Sequence, residues 1–169
     1  MFTIQCTKKL EAEIKDPLFN KIQSQSPPLY TWHANLFTSN RRKCVLLMNN
    51  QTRYNFILYG LKKDDFRRFD HVIYENIVEN LTADGIGQSL IEEYLKNYKQ
   101  VIYTKTSDRS ILGQINEMIF VAKNEIERNI SEIGDPAIDQ VNRLLNRFII
   151  LKLPKLYTVE TMYEALQEL

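Results

Sequence analysis

The feature that most constrains the fold is an apolar run at Lys43–Met48, with the sequence KCVLLM. A strand that faces water on one side alternates apolar and polar residues. A run without alternation is typical of a strand that is covered on both faces. The run therefore predicts a central strand of a sheet, with other parts of the chain packed above and below it.

Two flanking segments complete a predicted three-stranded meander around this run. Trp32–Thr38 is a candidate strand before it, and Arg53–Tyr59 is a candidate return strand after it. Polar turn residues at 40–42 and 49–52 join the three strands, and such short connections favour antiparallel neighbours. Further short strands are predicted at 2–6 and 101–103.

The second half of the chain follows the helical period. Apolar residues recur every three or four positions, which predicts helices over 66–81, 86–98, 111–130 and 138–148 and a last one from Thr158. Three prolines with several Ser and Gln predict a loop at 16–31. The expected class is α+β, with a small, mainly antiparallel sheet, helices mostly on one side and a helical C-terminal half. No repeat or break in composition divides the chain, so one domain over 1–169 is expected.

The charge balance excludes a protein-wide attraction to polyanions. The chain has 22 basic and 21 acidic residues and a formal net charge of +1, so any anion site must be local. No apolar run reaches the length of a membrane span and no signal-peptide pattern opens the chain, so no membrane partner is expected. Only two cysteines are present. Cys6 and Cys44 both lie in apolar segments, which indicates buried thiols in a reducing cytoplasm.

Four segments stand out by their order and spacing: CTKKL at 6–10, WHANL at 32–36, RRK at 41–43 and RSILGQIN at 109–116. Together they resemble an uncharacterised bacterial domain family of unknown function, and the last segment is the most specific. The resemblance spans nearly the whole chain. It implies a domain that occurs alone or at the front of some plasmid-associated ORF proteins, and it implies no established activity.

A first candidate site lies at the start of the long helix. Arg109, Gly113 and Asn116 fall on one stripe at helical spacing, and a glycine within a helix suggests that something approaches closely there. Arg109 and Ser110 lie in the first turn, where free backbone N–H groups favour an anion. This pattern predicts a small anion site formed by Arg109, Ser110 and Asn116. The alternative is close packing of a neighbouring strand at Gly113, with the helix start capped by Asp108.

A second candidate is the basic turn at Arg41, Arg42 and Lys43, which is suited to gripping phosphates. Trp32 nearby is a candidate surface on which a base stacks. The alternative is a solvated turn whose charges protect a sheet edge. Other cations extend the patch if the fold gathers them, namely Lys8, Lys9, Lys62, Lys63, Arg67 and Arg68.

The remaining candidates are single reactive side chains. His33 is a candidate general base, although a histidine in a strand is more often only hydrogen-bonded. Cys44 follows two cations, but its apolar strand favours an inert thiol. Cys6, Cys44, His33 and His71 lack the paired spacing of zinc ligands, so no metal is predicted. No Gly-rich phosphate loop is present, and no cofactor is predicted.

Three functional hypotheses fit these residues, and whether the protein is an enzyme stays open. The favoured hypothesis is a non-enzymatic accessory or binding module that recognises a nucleic acid or protein partner through the basic and aromatic surface. The first alternative is an enzyme for a phosphorylated or other anionic substrate, with His33 as base beside Arg109, Ser110 and Asn116. The second alternative is a structural protein that self-associates through a sheet edge or its C-terminal helices.

Overall fold

A computed structural model of the chain describes residues 1–17, 19, 26–148 and 157–169. Five strands within these ranges form one sheet. They are β1 (Phe2–Cys6), β2 (Thr31–Ser39), β3 (Arg42–Asn49), β4 (Asn55–Leu61) and β5 (Val101–Lys105). Their order across the sheet is β4-β3-β2-β1-β5, so the predicted apolar run is an internal strand, as expected.

The helices of the described ranges are α1 (Lys8–Ile14), α2 (Lys63–Arg67), α3 (Phe69–Ala83), α4 (Gln88–Leu95), α5 (Arg109–Ile133), α6 (Ile138–Leu145) and α7 (Thr158–Gln167). The predicted α+β class and the helical C-terminal half are confirmed. The loop predicted at 16–31 contains a 3-10 turn at Pro28–Tyr30, while its residues 18 and 20–25 lie outside the described residues.

The sheet combines antiparallel and parallel pairs. β2, β3 and β4 form the predicted antiparallel meander, in which Trp32 pairs with Asn49 at one end and Ser39 with Arg42 at the other. β1 lies between β2 and β5 and runs parallel to both. The antiparallel ladders are the longer ones, so the sheet is mainly antiparallel, as predicted.

The helices cover both faces of the sheet unequally. α1, α2, α3, α4 and α7 pack on the face that carries Phe2, Ile4 and Trp32. α5 and α6 pack on the opposite face, over Leu46 and Met48. Most helices therefore lie on one side, as expected, and α5 with α6 explains why β3 needs apolar residues on both faces.

The turn between β2 and β3 has an unusual backbone. Asn40 and Arg41 both have positive φ, at 50° and 63°, which is the geometry of a two-residue hairpin turn that matches the twist of the strands. Gly60 (φ +72°) lies opposite at an irregularity in the β3–β4 ladder, where a Cβ would stand 3.6 Å from Arg42 Cδ. Together these residues hold Arg41 and Arg42 at one end of the sheet.

Two residues on the outer edge of β4 are bonded by Asn142 of α6 and by Asn146, which follows the last residue of that helix. Asn142 Oδ1 accepts a hydrogen bond from the Ile57 N–H at 2.8 Å, and its Nδ2 donates to the Ile57 carbonyl at 3.3 Å. Asn146 Oδ1 likewise accepts a hydrogen bond from the Asn55 N–H at 2.9 Å, and its Nδ2 donates to the Asn55 carbonyl at 2.6 Å. The two amides replace a neighbouring strand, because each supplies one acceptor and one donor.

Asp84 lies shortly before α4 but does not cap it. α4 begins after Gly87, whereas the fully buried Asp84 carboxylate accepts a hydrogen bond from the Tyr54 hydroxyl at 2.5 Å. It also forms ion pairs with Arg143 at 3.2 Å and Arg147 at 3.5 Å. A buried carboxylate needs such partners, and these ties join the end of α3 to β4 and α6.

Candidate anion-binding cavity

A cavity of about 1070 Å³ opens between α1 and α2. This volume is slightly above the usual range for small-ligand sites, roughly 300–1,000 Å³. Segments that are distant in the sequence form its walls: the end of α1 at 13–17, the β2–β3 turn at 41–43, the stretch 60–67 from β4 into α2, Asp70 of α3, and Val101 and Tyr103 of β5.

Basic side chains dominate these walls, where seven cations face the three carboxylates of Glu13, Asp16 and Asp70. Lys43 is paired with Glu13 at 2.5 Å, and Arg67 is paired with Asp64 outside the cavity at 3.0 Å. The other five cations have no ion pair within the described ranges: Lys15, Arg41, Arg42, Lys62 and Lys63. The cavity therefore concentrates positive charge in a chain whose net charge is only +1.

The residues that line the cavity are spread along the direction of the strands. The strand ladders align Tyr103 with Ile4 and Ile4 with Trp32, while the basic turn follows Ser39 at the far end of β2. At about 3.3 Å per residue, the seven steps from Trp32 to Ser39 span roughly 20 Å. The cations of the turn lie at one end of the cavity, and the β5 residues lie at the other.

Two polar side chains at the β5 end have no partner among the described residues. Tyr103 is only 8% exposed, lines the cavity, and its hydroxyl makes no hydrogen bond there. Burial raises the pKa of Tyr103, and the nearby Tyr98 and Asp70 raise it further. The Asp70 carboxylate also lines the cavity without an ion pair. Apolar residues surround this end, including Leu61, Phe66 and Val101.

His33 lies in a separate polar network on the other face of the sheet, where both ring nitrogens are engaged. Nδ1 is 2.8 Å from Asn50 Oδ1, and Nε2 accepts a hydrogen bond from the Ser107 backbone N–H at 3.2 Å. Because the amide oxygen can only accept, the proton lies on Nδ1. Gln5 closes the network by accepting from Asn50 Nδ2 at 3.0 Å and donating to Ser107 Oγ at 2.8 Å.

This environment does not suit His33 for general base catalysis. The side chain is fully buried, and burial lowers its pKa, against the opposing effects of the Asn50 hydrogen bond and the Asp108 charge. Its single lone pair on nitrogen is already occupied by a backbone N–H. A general base needs that lone pair within reach of a substrate proton, so the geometry gives His33 a structural role.

The start of α5 does not form the expected anion site. The Asp108 carboxylate accepts hydrogen bonds from the backbone N–H groups of Ser110, at 2.8 Å, and Ile111, at 3.1 Å, so it already occupies the place of an anion. Arg109 and Ser110 are exposed, and Asn116 accepts a hydrogen bond from Asn35 at 3.2 Å. The predicted Asp108 cap is present, whereas Arg109, Ser110 and Asn116 do not line the basic cavity.

The structure also corrects two expectations: close packing of a strand at Gly113, and stacking of a base on Trp32. No side chain or backbone of another element lies within 4 Å of a Cβ placed at Gly113, so close packing of a neighbouring strand does not account for that glycine. Trp32 is completely buried, and its Nε1 donates to the Tyr94 hydroxyl at 3.1 Å. Trp32 therefore belongs to the core and presents no surface on which a base could stack.

The cysteines and histidines do not come together. Cys6 packs with the core under α1, whereas Cys44 packs with the core under α5, and His71 is exposed on α3. Burial raises the pKa of both thiols, which opposes a nucleophilic role for Cys44. Across the part of the chain that the structure describes, no cluster of three or more His, Cys, Asp or Glu is placed to hold a metal ion.

The structure brings the basic turn together with cations from distant segments. Arg41, Arg42 and Lys43 share the cavity with Lys62, Lys63 and Arg67 of the extended patch. Lys8, Lys9 and Arg68 do not line it. Sequence reasoning missed Lys15, Asp70 and Tyr103, because nothing in their local sequence marks them as facing a cavity.

These observations define an α+β protein whose most distinctive surface is a basic cavity between two helices. The chain belongs to the family described as a domain of unknown function, DUF6933, whose model matches residues 3–159. The resemblance noted from the four segments is thereby confirmed at the level of an uncharacterised family, while its bacterial and plasmid context stays an expectation. Comparison with curated proteins and with solved structures found no match. Within the described ranges, every helix is too short or too polar to cross a bilayer.

Proposed function

We propose that this protein is a non-enzymatic binding module whose basic cavity holds the phosphates of a single-stranded nucleic acid. The observation that carries the proposal is the set of five cations around one cavity that lack an ion pair among the described residues. Cations without protein partners are available to replace the counterions of a phosphate backbone, which is the main source of affinity for such ligands.

The shape of the site favours a single strand over a duplex. The cations lie on the walls of a concavity between α1 and α2, into which a flexible strand can enter, whereas a rigid duplex would reach only the rim. The length of roughly 20 Å, from the strand rise, suits an extended ligand. Arg41 and Arg42 can grip a phosphate with two parallel N–H donors, and Lys62 and Lys63 add point charges opposite them.

The test is binding of a fluorescent single-stranded oligonucleotide of about ten nucleotides, measured by anisotropy over a series of salt concentrations. If the five free cations each neutralise one phosphate, log K should fall with log salt with a slope of about −3.5. Lys62→Gln with Lys63→Gln should weaken binding about tenfold and make the slope shallower by about 1.4.

The matched control is Lys8→Gln with Lys9→Gln, which removes the same charge from adjacent exposed lysines that do not line the cavity. It should leave both the affinity and the slope nearly unchanged. An absence of binding, or an equal loss in both double variants, would contradict the proposal. Equal competition by an acidic peptide of the same charge would favour the protein-partner hypothesis instead.

A cytoplasmic setting is part of this proposal. Cys6 and Cys44 are free, buried and packed on opposite faces of the sheet, which supports a reducing environment. Self-association through the β4 edge finds less support, because Asn146 and Asn142 already bond to the backbone groups of Asn55 and Ile57. The enzymatic alternative loses its candidate general base, because His33 is buried and its Nε2 is already occupied.

A further inference from the structure

The β5 end of the cavity differs chemically from its cationic end. Asp70 and Tyr103 supply a carboxylate and a hydroxyl, neither of which has a partner among the described residues, and Tyr103 is more than nine-tenths buried. A phosphate would be repelled by Asp70. A polar group of the ligand that donates hydrogen bonds would fit there, because the Asp70 carboxylate can only accept hydrogen bonds, whereas the Tyr103 hydroxyl can donate or accept one.

We infer that Asp70 and Tyr103 form a subsite that reads an amino-bearing base, as in cytosine or adenine, at one end of the bound strand. This inference rests on the proposed function, since it requires phosphates on the cations at the other end. A carboxylate accepts hydrogen bonds from the exocyclic amine of cytosine, and the Tyr103 hydroxyl can donate to the adjacent ring nitrogen. Thymine offers one N–H between two carbonyl oxygens, and a carboxylate repels these oxygens.

The surroundings of the subsite support a base at this position. Leu61, Phe66 and Val101 line the same cavity and offer apolar contacts to the flat faces of a base, while the cations near the turn hold the phosphates that follow it. Along the strands, Tyr103 and the basic turn are separated by roughly 20 Å, which leaves room for more than one nucleotide between them. The cavity therefore has a direction, with a base-reading end and a phosphate-holding end.

The experiment compares the affinities of an oligo-cytidine and an oligo-thymidine of equal length for the wild-type protein, Asp70→Asn and Tyr103→Phe. We expect the wild-type protein to prefer oligo-cytidine by about tenfold, which is within the range for one base contact. Asp70→Asn should abolish this preference even though it removes a negative charge and raises affinity for both strands. Tyr103→Phe should reduce the preference without changing the salt slope. Thermal unfolding checks that each variant is folded.

Glu79→Gln is the matched control, because it removes one exposed carboxylate of α3 that does not line the cavity. It should retain the preference in full. Equal binding of both strands, or a preference that survives Asp70→Asn, would overturn the subsite while leaving the proposed function intact, provided that binding still depends on Lys62 and Lys63. Failure of both strands to bind would overturn both proposals.

Discussion

At the scale of single residues, Arg41 combines a free charge with an unfavourable backbone conformation. Its φ of 63° places a non-glycine residue in the left-handed region, at a cost of roughly 1–2 kcal/mol. Asparagine tolerates this region, as Asn40 does beside it, but glycine is the usual choice for the second position of such a turn. A strained cation that lines a basic cavity fits a ligand-binding role for its side chain.

Arg41→Gly should therefore stabilise the fold and weaken anion binding. We expect the free energy of unfolding to rise by about 1 kcal/mol, since relief of the left-handed strain exceeds the entropy that glycine adds to the unfolded chain. Affinity for the oligonucleotide should fall a few-fold. Urea unfolding and anisotropy measure the two effects. Asn40→Gly is the control, because it should change neither quantity much, and a destabilised Arg41→Gly protein would argue against backbone strain.

At the scale of secondary-structure elements, α6 completes the sheet by acting as a substitute strand. Asn142 and Asn146 lie four positions apart, so their amides project from the same face of the helix toward alternate residues of β4, Asn55 and Ile57. Edge strands expose backbone groups that invite pairing with other chains. The two amides satisfy those groups, and they tie α6 to the sheet independently of the apolar contacts of Val141 and Leu145.

Asn142→Ala should destabilise the protein by about 1–2 kcal/mol. The substitution leaves the N–H and carbonyl of Ile57 without protein partners, while alanine returns part of this loss through its higher helix propensity. Urea unfolding measures the change, and hydrogen exchange of the Ile57 amide should become faster. Gln140→Ala, on the exposed side of α6, should have neither effect. Unchanged exchange at Ile57 would show that another group covers this edge.

At the scale of the whole molecule, the polar network of His33 connects parts that are far apart in the sequence. It links β1 through Gln5, β2 through His33, the turn after β3 through Asn50, and the segment before α5 through Ser107. Arg53 extends the network, because it donates one hydrogen bond to the Asn50 carbonyl and another to Gln114 of α5, the latter at 2.7 Å. The network holds α5 against the sheet with hydrogen bonds, where the apolar core of that face ends.

This network predicts that the protein loses stability in mild acid. Burial lowers the pKa of His33 in the folded state below its ordinary value of 6.5, so the unfolded chain binds a proton first as the pH falls. Below about pH 6.5 the free energy of unfolding should drop by up to 1.4 kcal/mol per pH unit, until the folded pKa is reached. Unfolding in urea between pH 7.5 and about pH 5, above the range of ordinary carboxylates, measures the slope.

His33→Gln should remove this slope, whatever its effect on stability at neutral pH. His71→Gln should leave the slope unchanged, because His71 is exposed on α3. A slope that persists in the His33 variant would place its origin in another group. The comparison assigns the slope to one histidine, because His33 and His71 are the only histidines of the chain.

Much of the fold followed from local patterns. The apolar run at 43–48 predicted an internal strand, and the alternating residues at 2–6 predicted β1. The helical period predicted the long α5, with Ser107 or Asp108 as its cap, and the structure uses Asp108. The site was predicted only in part. Arg41, Arg42 and Lys43 were identified as cations at a turn, whereas the interpretations of Trp32 and of Arg109 as surface binding residues depended on positions that no local pattern specifies.

The sequence by itself determined which segments become strands and helices, because periodicity and capping act between residues a few positions apart. Only the tertiary structure decided which residues meet. It buried Trp32 and enclosed His33, and it brought the basic turn, Lys15, Lys62 and Lys63 around one cavity. The reason is physical: a side-chain period indicates that a segment has two faces, but the packing of other segments decides which face is covered and which charges are left without a partner.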